Sequence, residues 1–250
     1  MSGHSKWSSI KHKKAATDAK RGKIFTRFIR ELTIAARSGG GDPEANSRLR
    51  HAIDGARAAN MPSDNIKKAI QRGTGELEGV NYEEFSYEGY GPGGVAILAD
   101  VQTDNKNRTV SEVRHVFEKY NGNLGQQGCV SWMFTRKGVI LVPQSAIGED
   151  ELMEIVIENG GEDMVKEGSS YEITTATEDF DKVHEALKAK EIPIESAELS
   201  KVPSTYIKLE GKQAEQMLKL YDKLEELDDI QNVWANFNID DELIEQFNKG

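Results

Sequence analysis

The amino-acid sequence predicts an α+β protein in three parts. An N-terminal three-helix bundle is followed by two ferredoxin-like α/β units of the split βαβ kind, one inserted in the other. Three observations predict it. Apolar residues recur at helical spacing from about residue 15 to residue 75, then give way to short strands alternating with helices. The charge changes sign at the same place: the chain of 250 residues has a formal charge of -10, yet residues 1–75 hold sixteen basic and six acidic side chains, a net of +10, leaving -20 for residues 76–250. Finally, residues 137–204 read as β-α-β-β-α-β, and the segments on either side supply the pieces of a second such sheet.

The opening stretch "MSGHSKWSSIKHKK" has no periodicity and is expected to be a tail that orders on contact. From about Ala15 the pattern is helical. At about 100° per residue, Phe25, Phe28, Ile29, Leu32, Ala35 and Ala36 form one stripe, while Lys20, Lys23, Arg27, Arg30 and Arg37 gather opposite it. Arg21 and Ile34 are misfits. Gly39 to Gly41 end this helix. A second helix starts in "DPEANSRLRHAI", with Asp42 as the expected cap, Pro43 in the first turn, and Ala45, Leu49, Ala52, Ile53 and Ala56 inward. In the third, Ser63 is the expected cap, with Ile66, Ala69 and Ile70 inside, Lys67, Lys68 and Arg72 outside, and Gly73 as the stop. "GTGELEG" reads as a linker.

Beyond it, "YEEFSYEGY" and "GVAILADVQT" read as strands flanking the turn "GPGG". A helix with Val110, Val113, Phe117 and Tyr120 inward follows, then a strand "CVSWMF". "KGVILVP" opens the inserted unit, which has helices around Leu152, Ile155 and Val156 and around Phe180, Val183 and Leu187, and which closes on "IESAELS". The last segment offers "TYIKLE", a helix with Ala214, Met217, Leu218, Tyr221 and Leu224 inward, and the strand "IQNVWANF". Its β-α-β is expected to pair with the β-α-β around 95–134. The parts are thus 1–75, 80–136 joined to 205–240, and 137–204.

Several function classes are excluded. Cys129 is the only cysteine, so there is no internal disulfide. No apolar stretch approaches membrane-spanning length and no signal-peptide core follows Met1, so a cytoplasmic protein without a membrane partner is expected. "GYGPGG" precedes a strand rather than a helix, which argues for a hairpin turn over a phosphate loop. Nothing in the sequence places His115 beside Cys129, and the other histidines are scattered. No catalytic residue, metal site or cofactor is expected.

The charge asymmetry carries the functional reading. Basic side chains gain binding energy by displacing condensed counterions from phosphates, and six to ten such contacts lower affinity by about 10³ to 10⁵ between about 50 and 200 mM salt. Lys6, Lys11, Lys13, Lys14, Lys20, Lys23, Arg27 and Arg30 supply that number, and Lys67, Lys68 and Arg72 add to it. Trp7 lies among them, suited to stacking on an unpaired base. The turn "NMPSD" before the third helix allows a helix-turn-helix reading, but lysines favour phosphates over base edges. A lysine tail with an embedded tryptophan suits folded RNA; duplex DNA stays open. A basic part binding an acidic protein is the other class.

"GHSKWSSIKHKKAATDAKRGKIFTRFIREL", "RLRHAIDGARAANMPSDNIKKAIQRG", "YEGYGPGGVAILADVQTDNKNRTVSEVRHVFEKYNGNLG" and "DIQNVWANF" together resemble the YebC/PmpR family nearly end to end. The resemblance implies one helical and two ferredoxin-like domains around a central cavity. It also implies a role in gene expression without known catalysis: members are usually labelled DNA-binding transcriptional regulators. Related translational activators point instead to ribosomal RNA and translation, so ribosome and RNA polymerase are the implied partners.

Overall fold

The computed structural model describes residues 18–249. Three helices come first: α1 (Asp18–Gly39), α2 (Ser47–Ala58) and α3 (Ser63–Thr74). Their apolar stripes meet in one core of Leu32, Ala35, Leu49, Ile53, Ala56, Ile66 and Ala69, with Phe25, Phe28 and Ile29 at its edge. Three helix signals differ from expectation. Ser63 is the first residue of α3 rather than its cap, with Pro62 in the cap position and no side-chain hydrogen bond closing the turn. Asn46, rather than Asp42, caps α2, its side chain accepting from the Leu49 amide at 3.0 Å, because Asp42 is taken up by the Glu44 amide in the preceding turn. Helix α3 runs past Gly73 and stops where Gly75 adopts φ 84°. Gly73 is a packing residue: a Cβ there would sit 2.4 Å from the Thr33 carbonyl oxygen of α1.

The first sheet uses β1 (Glu83–Tyr90), β2 (Ala96–Thr103), β3 (Asn123–Leu124) and β9 (Ile230–Ala235) in the order β3-β1-β2-β9, with every neighbour antiparallel. Helices α4 (Lys106–Lys119) and α7 (Gly211–Glu225) cover one face. The core between them holds Ile97, Ala99, Val113, Phe117, Met217, Tyr221 and Val233. The second sheet holds β4 (Phe134–Pro143), β5 (Gly161–Glu167), β6 (Ser170–Thr175) and β7 (Ser196–Pro203) in the order β5-β6-β4-β7, again antiparallel. With α5 (Glu149–Glu158) and α6 (Phe180–Ala189) on one side, that is the split βαβ arrangement, built on its own core of Ile140, Leu152, Ile155, Ile173, Val183 and Leu187.

The make-up of the first sheet corrects the sequence reading in two places. "TYIKLE" does not join it: β8 (Ile207–Lys208) pairs in parallel with β10 (Phe237–Asn238) in a separate ribbon, ahead of α8 (Asp241–Lys249). The vacant place is filled by β1, whose eight residues pair along all of β2. "CVSWMF" is not a strand of this sheet either. It folds into a 3₁₀ turn at Ser131–Met133 and then enters β4, leaving only Asn123–Leu124 to pair with β1.

The uncovered face of the first sheet looks into a cleft of about 620 Å³ that the second sheet closes. Glu84, Ser86, Glu88 and Leu98 line it from one side, and Phe134, Arg136 and Lys201 from the other.

Candidate nucleic-acid interface

The basic side chains of the bundle fall into three groups. Lys6, Trp7, Lys11, Lys13 and Lys14 lie outside the described residues, as does the side chain of Lys20. The second group lies on the face of α1 opposite its apolar stripe, and it is not free. Lys23 donates to the Glu226 carbonyl, Arg27 to the Glu225 carbonyl, and Arg30 to the Asp228 carbonyl, while Arg30 also approaches Asp229 at 3.0 Å. All four acceptors belong to the end of α7 and the turn before β9. Arg37, on the same face, holds the linker through Asn81 and the Tyr82 and Val80 carbonyls. The expected free face of α1 is therefore a brace between the bundle and the first sheet. Burial lowers the Arg27 pKa, with the neighbouring Glu225 acting against it.

Asp229 is the centre of that brace. It is only 2% exposed, yet it accepts hydrogen bonds from Thr109 (2.6 Å), Arg108 (2.8 Å) and Thr103 (2.9 Å). Burial alone would raise its pKa; the hydrogen bonds from Thr109, Arg108 and Thr103 and the charge of Arg30 outweigh it and hold the carboxyl below its ordinary range. A second brace is Arg48, forked onto Glu31 at 2.7 Å and onto Glu84, with Gln102 bridging the same two carboxylates. Towards the inserted unit, His51 meets Asp181 at 3.2 Å and lies edge-on to Phe180. The two sheets are tied to each other by Lys201 and Asp100 at 2.6 Å.

The third group is open. Lys67, Lys68 and Arg72 lie on α3 with exposed side chains and form no ion pair with any described residue. Their spacing of one, four and five residues puts them on a single outward face. Asp64, in the first turn of α3, is also exposed, so the leading end of that helix presents a carboxylate.

The glycine turn is a hairpin, as its strand context requires. Gly91 donates to Val95 and Gly94 to Gly91, so these amides are already satisfied. No cluster of three or more metal-ligating side chains exists among the described residues. No helix among them is long and apolar enough to cross a membrane.

A helical bundle braced onto two ferredoxin-like sheets is also the architecture of a conserved hypothetical protein from Aquifex aeolicus, whose crystal structure matches with a TM-score of 0.81. The two are 49% identical, over 90% of this chain and 93% of that one. This defines the class. Residues 5–76 match the TACO1/YebC protein N-terminal domain and residues 82–237 the TACO1/YebC second and third domain, and the chain belongs to that family. Relatives from Natranaerobius thermophilus (55% identical) and Trichlorobacter lovleyi (58% identical) are each called "probable transcriptional regulatory protein"; each alignment covers 98% of this chain and 99% of the relative.

Proposed function

We propose that the protein is a non-enzymatic, cytoplasmic regulator of gene expression that grips nucleic acid through residues 1–75. Residues 80–136 with 205–240, and residues 137–204, form the bodies that position it on a larger assembly such as polymerase or ribosome. The observation that supports this most directly is the cationic face of Lys67, Lys68 and Arg72, without an ion pair among the described residues, on the one basic part of an otherwise acidic molecule. Lys6, Lys11, Lys13, Lys14 and Lys20 extend that grip, and Trp7 stacks on a base. Lys23, Arg27 and Arg30 drop out of the contact set because they hold the bundle in place. The names of the relatives favour DNA as the target. Folded RNA is the second reading, favoured by Asp64: a helix that reads the major groove leads with its first turn, where a carboxylate repels the backbone.

Filter binding of the full chain to duplex DNA and to folded RNA across about 50 to 200 mM salt tests both readings. Each phosphate contact contributes about 0.9 to the slope of log affinity against log salt on duplex DNA, so changing Lys67, Lys68 and Arg72 together to Ala lowers it by about 2 to 3. The triple Ala change at Lys11, Lys13 and Lys14 acts in the same direction. No binding at the lowest salt, or a slope unchanged by both variants, overturns the proposal.

A further inference from the structure

The loop between β3 and β4 displays an aromatic step that the basic face does not explain. Trp132 is 74% exposed, although tryptophan is among the most buried residue types on average. It is not exposed through looseness of the loop. The Glu88 carboxylate accepts the amides of Gly128 (2.7 Å), Val130 (2.8 Å) and Ser131 (2.8 Å), and its own carbonyl accepts the Gly125 amide. Val130 is anchored beneath the loop beside Leu98 and Trp234. Cys129 then presents its carbonyl to two rings at once: the Trp132 indole N–H at 3.2 Å and the Tyr90 hydroxyl at 3.0 Å. Tyr90 is exposed as well. Both polar ring atoms are thereby used, which leaves π faces as what the step offers.

We propose that Trp132 and Tyr90 form a stacking platform for an unpaired base of the nucleic acid, with Arg136 meeting an adjoining phosphate. The proposal rests on the nucleic-acid reading above and extends it from phosphate contact to recognition of single-stranded segments. The local charge admits this occupant although residues 76–250 are acidic as a whole. Every acid lining the adjacent cleft is engaged: Glu84 by Arg48, and Glu88 by the three amides. Asp100 beside them is held by Lys201, Ser86 and the Trp234 indole. Arg136 lines the same cleft, exposed and unpaired among the described residues. It lies four positions along the chain from Trp132, a reach of at most about 14 Å, which one short stretch of single strand can span. Here the surround is Gln126, Gln127, Gly128 and Ser131, all exposed. The fixed rings lose little freedom when a base arrives.

The test compares the full-length chain with Trp132→Ala, Trp132→Phe and Arg136→Ala, on a hairpin with an unpaired loop and on a fully paired duplex of the same length. Stacking of one base makes Trp132→Ala weaken hairpin binding about 5- to 150-fold and leave duplex binding unchanged. Trp132→Phe falls between, and Arg136→Ala lowers the salt slope on the hairpin alone. Hairpin affinity unchanged in Trp132→Ala overturns the platform but not the nucleic-acid function. Equal weakening on hairpin and duplex overturns the stacking role. Failure of the wild-type chain to bind either probe at low salt overturns both proposals.

Discussion

Replacing Asp229 by Asn keeps the shape of the brace and removes its charge. The three hydrogen bonds to its carboxylate are weakened, and Arg30, itself only 8% exposed, keeps its cation without the carboxylate. Breaking one side of a buried pair typically costs about 3 to 5 kcal/mol. Two features of this site put the expectation at the lower end. Asp229 Oδ1 faces Arg30 at 3.0 Å but without an aligned hydrogen bond, and Arg30 retains the Asp228 carbonyl and the Tyr82 ring at 5.6 Å. Arg108 also keeps Asp104. The expected loss is about 3 kcal/mol, a fall in Tm on the order of 6 to 12 °C for a chain of this length. Urea unfolding at pH 7, with amide exchange along α1 and β9 to locate the change, measures it. The pH dependence adds a second check. Because the folded-state pKa of Asp229 is depressed, its contribution is complete above the unfolded value of about 3.9 and is lost as pH falls through the folded value. The gap between wild type and Asp229→Asn therefore narrows on acidification. A gap under about 0.5 kcal/mol at pH 7, or one that widens as acid is added, refutes the role given to this residue.

Gly73→Ala puts a methyl group against the Thr33 carbonyl oxygen and the Ala36 side chain, so α1 and α3 must part. The net loss is about 1 to 3 kcal/mol even after the gain in helix propensity, seen as faster amide exchange within the bundle; a rise in stability would exclude the close approach. Glu88→Gln leaves the amides of Gly128, Val130 and Ser131 with one acceptor oxygen in place of two, costing about 1 to 3 kcal/mol and unlocking their exchange. Protected exchange of the Gly128 and Ser131 amides in that variant would show that the loop holds itself.

The helices were largely legible because one-sided burial leaves a direct signature: the stripe from Phe25 to Ala36 is the bundle core. What faces the other side of α1 was not. A helical wheel separates inward from outward, but outward means solvent only when nothing else packs there, and the acceptors for Arg27 and Arg30 lie about two hundred residues along the chain. One signal did point to it. Ile34 sits in the middle of the basic arc and is 4% exposed, so that arc is a second buried face. In the first sheet, "TYIKLE" has strand-like composition yet finds only a two-residue partner, whereas the acid-rich "EEFSYEGY" is a strand with one face on the core and the other in a polar cleft. Two-residue β3 is too short for any periodicity. The loop carrying Trp132 looked like a strand because its aromatic residues resemble one; the Glu88 carboxylate that bends it comes from another element.

Phe134 and Pro203 face each other across the first rung of β4 and β7. The long excursion between them begins and ends at neighbouring points, so to the surrounding fold it amounts to a tight connection rather than a long tether. While it stays folded its contents can grow or shrink with the host sheet keeping its register, because the entropy of closing that gap is settled within the excursion itself.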